Sequence, residues 1–298
     1  MGKYIKVFNT ISEYNTYING TPTLPNVSYC KDNLSVHYNP YVFIPPNYLS
    51  FRADGTATLK ITNNGDNAPN IEYSFDALTF TTWDYTELTI PDGATVYLRG
   101  NNPTGFSKTT QQYSSFSFGG TGNVYGGGNV MSLIGYDDLD NLLTIPQSSD
   151  GCFRMLFYYP GNLITPPELP ATTLAVRCYY SMFQGCSRMT TAPSVLPAKR
   201  LEFACYNSMF INCKFATAPH IMAERFLNTS LSCVLMFYGC TNLNYIKADF
   251  LDLFNNNNFN NWVVNVQSSG TFVKNADATW ENTFATDAIP TGWTVITE

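Results

Sequence analysis

The strongest constraint on the fold of this chain is a repeat of about 27 residues running from Cys152 to Ala248. Its signature is Cys-x-x-x-Met-Phe-x-Gly-Cys. The pairs Leu156-Phe157, Met182-Phe183, Met209-Phe210 and Met236-Phe237 recur at spacings of 26, 27 and 27 residues. A repeat of this length marks a solenoid, in which no unit closes a core alone and stability comes from stacking neighbours. Cys152, Cys178, Cys205 and Ser232 stand four residues before each pair, and Pro160, Cys186, Cys213 and Cys240 stand four after its first member. Cys178, Tyr179, Met182, Phe183 and Cys186 follow a helical period, which predicts a short helix with its apolar arc towards the core. Ser187 to Val195 predicts a short strand ended by Pro193, because proline cannot donate to a ladder.

These columns assign the cysteines to packing. Seven of the eight lie between Cys152 and Cys240 at positions set by the repeat, and no Cys-x-x-Cys occurs. Metal sites need short internal spacings, so buried free thiols behaving as small hydrophobes are expected, with no metal and no cofactor. The expected repeat core is Cys152, Cys178, Met182, Phe183, Cys186, Cys205, Met209, Phe210, Cys213, Met236, Phe237 and Cys240. An atypical first coil, with Leu156 for Met and Pro160 for Cys, opens the array. Beyond it the pattern is expected to dissolve into the Asn-rich 249–261 stretch, with Trp262, Phe272, Trp280 and Trp293 covering the last coil.

Upstream the apolar period changes to two in Thr58–Thr62, Ile71–Phe75, Thr95–Arg99 and Ser115–Phe118. Turn formers such as Asp54-Gly55 and Asn63-Asn64-Gly65 bound these runs, as in a small antiparallel β-sandwich. The predicted fold is therefore multidomain and mainly β with short helices. It comprises an N-terminal attachment or oligomerisation segment (1–47), a β-sandwich (48–145) and a solenoid (146–298) with a C-terminal cap (249–298). The first segment is too short for a robust core of its own. Its Val27, Tyr29, Val36, His37 and Tyr38, on either side of a hairpin-like turn, are its candidate attachment residues.

Sixteen basic and 22 acidic residues leave a net charge of −6 without any Lys/Arg cluster, which argues against nucleic acid as a partner. No stretch approaches the length of a membrane helix, so no membrane partner is expected. Two lysines near Met1 precede no apolar run, so export by a signal peptide is not expected. Catalysis is not expected either. The two histidines, His37 and His220, have no nucleophilic or general-base context, and His220 after Pro219 is expected in an exposed repeat turn. Gly119–Gly128 lacks the Lys-Ser/Thr ending of a phosphate loop and reads as a β-loop. Asp137-Asp138-x-Asp140 lacks the rest of a calcium loop and reads as an acidic linker.

Binding is expected from tyrosine, which supplies 20 residues, more than the cores require. Tyr180 falls off the buried arc, and Tyr158 and Tyr238 share the column of Gln184. These three are the candidate ligand-binding residues, since exposed tyrosines offer large contact area to sugars or proteins at low entropy cost.

The stretches Leu169 to Cys186, Met236 to Leu243 and Ile289 to Val295 resemble the BspA-like leucine-rich-repeat proteins of Bacteroidetes surfaces and of phages that infect them. Ile71–Ser74, Val96–Gly100 and Gly128–Leu133 resemble the β-domain that often precedes such repeats. Asn212, where Gly is usual, and Ser232, where Cys is usual, depart from the pattern. Leu24 to Cys30 and Val36 to Pro40 resemble openings of structural proteins of crAss-like phages. The resemblance implies a leucine-rich-repeat-type solenoid in a non-enzymatic virion protein, a head fibre or other appendage assembled in the host cytoplasm. Its implied partners are other virion proteins through the N-terminal segment, a host surface glycan or protein, and further copies in a homo-oligomer. A bacterial cell-surface adhesin is the alternative, and a glycan-active enzyme, which would need paired carboxylates, a third.

Overall fold

The computed structural model describes residues 47–226, 231–251 and 257–298. The attachment residues Val27, Tyr29, Val36, His37 and Tyr38 lie outside them. Tyr48–Glu298 forms one compact unit. It is mainly β, with only short 3-10 turns at Val130–Leu133 and Asn257–Phe259 for helix among the described residues. No helix among them is long and apolar enough to cross a membrane.

The first half holds β1 (Leu49–Asp54), β2 (Ala57–Asn63), β3 (Ile71–Ser74), β4 (Thr81–Thr82), β5 (Leu88–Ile90), β6 (Thr95–Gly100), β7 (Ser114–Gly120) and β8 (Asn123–Gly127). Alternating apolar residues bury one face of β1, β2 and β7, as the period of two requires. The order β5-β2-β7 makes one sheet, and β4-β3-β6-β1-β8 runs through the other. Between them Phe51 meets Phe118 edge-on at 4.8 Å between ring centroids, and Phe157 of the first coil at 5.9 Å. The glycine-rich 119–128 stretch forms the end of β7 and all of β8.

The second half winds β9 (Leu163–Thr165), β10 (Val195–Leu196), β11 (Arg200–Leu201), β12 (His220–Ile221), β13 (Arg225–Phe226), β14 (Tyr245–Ala248), β15 (Thr271–Lys274) and β16 (Thr294–Thr297) into a β-solenoid of about four turns. One parallel sheet has the order β10-β12-β14-β15-β16, and β11 pairs with β13 in another. The array starts on the upstream sheets. The Phe116 and Phe118 N–H groups of β7 donate to the Leu156 and Pro160 carbonyls at 2.7 and 2.6 Å, and β9 pairs parallel with β8. The first coil therefore has no open edge on that side.

The Met-Phe segment is not the helix that its apolar spacing predicts. It is a chain of tight turns with a left-handed residue at every fourth position: Arg177 and Ser181 (φ 51° each) before Gly185 (φ 77°), then Ala204, Ser208 and Asn212 (φ 51°, 58° and 62°). Successive N–H groups alternate in direction. Those of Arg154, Leu156 and Tyr158 reach back three residues to the Gly151, Phe153 and Met155 carbonyls. Those of Phe153, Met155, Phe157 and Tyr159 donate to Cys178, Tyr180, Met182 and Gln184 of the next coil at 2.8–2.9 Å. A helix would spend every N–H within its own coil and leave the coils joined by side chains alone. The apolar period is accordingly four, two residues into the core and two away from it, although Ser181, Ala204, Asn207 and Ser208 of the middle coils are also covered. Cys152-Phe153, Leu156-Phe157, Cys178-Tyr179, Met182-Phe183, Cys205-Tyr206, Met209-Phe210, Ser232-Cys233 and Met236-Phe237 are all buried.

The same geometry explains the residue before each second cysteine. Gly185, Asn212 and Gly239 all have φ between 62° and 77°, where Gly is free of strain and Asn is the best-tolerated alternative. A methyl group on Gly239 would also strike the Asn212 side-chain oxygen. Gly239→Ala is expected to lower stability by about 2 kcal/mol from the backbone alone, read as a fall in the urea midpoint at unchanged slope. An unaltered midpoint would refute this account of the column.

Other expectations shift by a few residues. The strand in the second coil follows Pro193, at Val195–Leu196, because the preceding residues complete the corner after Cys186. His220 lies on β12 and not in an exposed turn; it is half-buried and bonds Asp249 at 2.9 Å. The array also continues past Ala248. The Phe237 N–H donates to the Trp262 carbonyl at 2.8 Å, as Phe210 does to Met236, so Trp262 belongs to a further coil and does not lie over the last one. The Trp262, Trp280 and Trp293 indoles donate to the Ala288, Phe250 and Gln267 carbonyls, which satisfies their polar edge inside the C-terminal core.

Candidate functional site

Three columns run the length of the turn segments. Phe157, Phe183, Phe210 and Phe237 stack with ring centroids 5.4, 5.5 and 5.7 Å apart and planes within 9° of parallel. Phe153, Tyr179 and Tyr206 form a second stack that ends on Cys233. In the third, the Cys186, Cys213 and Cys240 thiols donate to the Phe157, Phe183 and Phe210 carbonyls of the preceding coil at 3.4, 3.2 and 3.0 Å. The seven cysteines among the described residues are buried and form no disulfide. Burial pushes the Cys152 thiol up to about 12, and Cys178, Cys205 and Cys240 well above the usual thiol range. A thiolate is the nucleophile and the metal ligand, so these groups are held in their inert form. Among the described residues no group of three His, Cys, Asp or Glu is placed to hold a metal ion.

The charged columns are also engaged with one another. Lys199, Glu224 and Asp249 recur at 25-residue spacing, with Lys199 Nζ 2.8 Å from Glu224 and 3.8 Å from Asp249, which also takes His220. Exposed pairs of this kind add little stability each. In the upstream sheets Arg99 bonds Glu72 at 2.6 Å, and its guanidinium lies over the Phe80 and Tyr136 rings at 3.9 and 4.2 Å. Asp138, in the predicted acidic linker, accepts both its bonds from Asn141.

The aromatic surface is different. Tyr158 is 38% exposed and Tyr159 55%, among the few large apolar side chains exposed to this degree. Their rings meet edge-on at 4.7 Å. Partial burial first, then the charges of Tyr159, Tyr113 and Tyr180, push the Tyr158 phenol up, and the Met155 N–H donates to the Tyr180 carbonyl of the next coil at 2.9 Å. Arg154, one coil before Tyr180 in the same column, lies with its guanidinium carbon 4.3 Å from the Tyr180 ring centroid. Positioning follows from the turn chain. Two outward residues follow two buried ones, so Arg154-Met155 and Tyr158-Tyr159 are turned out by the burial of Cys152-Phe153 and Leu156-Phe157. Tyr113 enters from the residue before β7, whose Ser115 hydroxyl bonds the Met155 carbonyl.

Of the tyrosines singled out by sequence, Tyr158 and Tyr180 stand on adjacent coils, joined by the backbone bond from Met155 to Tyr180. Tyr238 is half-buried and stands in the Tyr158 column three coils further on, about 14 Å away at the spacing of paired strands. Tyr113, Tyr159 and Arg154 were missed. The four-residue period would have found Tyr159 and Arg154, whereas nothing local in the sequence places Tyr113 beside them.

No family model, no curated protein and no solved structure matches this chain.

Proposed function

We propose that this chain is a non-enzymatic adhesion protein whose first coils bind the surface glycan of a host cell through Tyr113, Tyr158, Tyr159 and Tyr180. The observation that carries the proposal is the exposed tyrosine pair on a rigid, edge-paired coil. Flat aromatic faces held in fixed relation suit sugar rings, and their order is already established before binding, so little entropy is lost. Repeats of this kind present a broad surface, and weak contacts gain strength when many copies act together. The leucine-rich-repeat type and the BspA-like family are part of the same proposal, supported by the sequence stretches that resemble that family. So is a place in a phage head fibre or appendage, attached to other virion proteins through residues 1–47, supported by the Leu24–Cys30 and Val36–Pro40 stretches.

The test is attachment of purified, fluorescently labelled protein to Bacteroidales cells and to a glycan array. Tyr158→Ala with Tyr159→Ala is expected to reduce binding at least tenfold while leaving the melting temperature within a few degrees, because both rings are on the surface. Binding that survives the double substitution would refute the proposed site. Mass spectrometry of purified phage particles tests the virion assignment, which fails if the chain is absent from them.

A further inference from the structure

We infer that the tyrosine cluster selects acidic sugars, with Arg154 as the residue that pairs with the sugar's anionic group; this rests on the proposal that the cluster binds glycan. Among the described arginines, Arg154 alone has a buried Nε without a hydrogen-bond partner; Arg200 and Arg225 also form no ion pair but are exposed. Arg177 is held by Asp150 at 2.8 Å and also lies over Phe203. Arg188 donates to Asn162 and Asn123. Arg154 enters none of the ion pairs among the described residues, and its Nε is buried without a hydrogen-bond partner. Among the described residues its guanidinium meets the Tyr180 ring and no hydrogen-bond acceptor. The neighbouring acid, Asp150, is already taken by Arg177.

A guanidinium in this state is poised for an anion. The Tyr180 ring lies under its guanidinium carbon at 4.3 Å, and its aliphatic stem packs where Gly151 has no side chain, a methyl at that position falling 3.1 Å from the Arg154 Cβ. Arg154 stands four residues before Tyr158, one period of the turn chain, so both belong to the outward pairs of the first coil, where Tyr158 and Tyr159 are exposed. A planar guanidinium beside aromatic faces suits an acidic sugar: the ring lies against tyrosine while its carboxylate or sulfate takes the N–H donors. The chain's net charge of −6 gives no general attraction for polyanions, so any preference for acidic sugars must be local.

The experiment measures binding of the full chain to tetragalacturonate, to its methyl ester and to a sulfated galactan oligosaccharide by isothermal titration calorimetry. Tetragalacturonate or the sulfated sugar is expected to bind at least tenfold more tightly than the ester. Which of the two binds distinguishes carboxylate from sulfate recognition. Arg154→Gln is expected to abolish the difference, and Arg154→Lys, which keeps the charge but not the fork, to restore part of it. Circular dichroism confirms that each variant is folded. Equal binding of acid and ester, failure of both acidic sugars to bind, or an undiminished preference in Arg154→Gln would overturn the inference. Tyrosine-dependent binding of neutral glycans would then leave the adhesion proposal standing. Loss of both the acidic preference and the tyrosine dependence would overturn the two together.

Discussion

Between pH 8.5 and about pH 10.5 the chain is expected to unfold cooperatively, driven by its own cysteines. Six thiols, Cys152, Cys178, Cys205, Cys213, Cys233 and Cys240, are pushed above their ordinary range, in each case chiefly by burial. In the unfolded chain a thiol ionises near 8.5, well below the native Cys152 at about 12. The sign follows from which state can lose the proton. Below about 8.5 both states are protonated and the thiols contribute their full stability; above it only the unfolded chain ionises, and stability falls as pH rises towards the native values. Each thiol then removes about 1.4 kcal/mol per pH unit, so six together remove roughly 8 kcal/mol per unit. A domain of ordinary stability, about 5–15 kcal/mol, is exhausted within one to two units. Tyr179 and Tyr206, whose phenols burial raises in the same direction, add to the loss at higher pH. Circular dichroism against pH measures it. A native spectrum at pH 11 would contradict the buried-thiol account, and Cys178→Ala with Cys205→Ala should make the decline less steep.

Phe210→Ala should cost about 3–5 kcal/mol, the range for deleting a buried aromatic ring that its surroundings cannot replace. Phe210 lies within the stack, parallel to Phe183 at 5.5 Å and to Phe237 at 5.7 Å, with Phe215 edge-on at 5.3 Å. Its removal opens a void facing three other rings, and the backbone cannot close it because the Phe210 N–H and carbonyl are both tied to neighbouring coils. Phe210→Leu retains most of the volume and should cost about 1–2 kcal/mol. Urea unfolding decides between two modes of failure. A lower midpoint at constant slope means the array still unfolds as one, whereas a shallower slope means that the coils on either side have come apart. A loss below about 1 kcal/mol would show that the ring stack is not tightly packed.

How much was legible in the sequence depended on whether a pattern had one physical reading. Alternation in Thr58–Thr62 and Ser115–Phe118 can only be strand, and both runs fall within strands, β2 and β7. The coil period was equally clear, since Met182, Met209 and Met236 can recur at these spacings only if something repeats. The conformation inside a coil was not. Cys178, Tyr179, Met182, Phe183 and Cys186 fit a helical arc as well as a two-in, two-out turn chain, and the samples are too short to separate periods of 3.6 and four. The deciding evidence was Gly185, Asn212 and Gly239, three residues in one column that share a tolerance for positive φ. Trp262 was misplaced for a related reason: the Met-Phe signature had lapsed, although the hydrogen bonds of the coil had not. At the candidate site, Tyr158 and Tyr180 followed from their columns. The four-residue period turns Arg154 outwards, but its lack of a partner for Nε shows only in the structure, and Tyr113 comes from outside the repeat.

The alternation of N–H groups within the turn chain bears on how such a protein changes over generations. Each coil offers the next the same row of donors that it received acceptors for, so duplication or loss of one whole unit by unequal recombination leaves every junction chemically unchanged. The upstream sheets and the tryptophan-bearing end are unique and have no such freedom. Reach can therefore be lengthened or shortened in steps of one coil, while Tyr158, Tyr159 and Arg154 in the first coil stay at a constant distance from the upstream sheets.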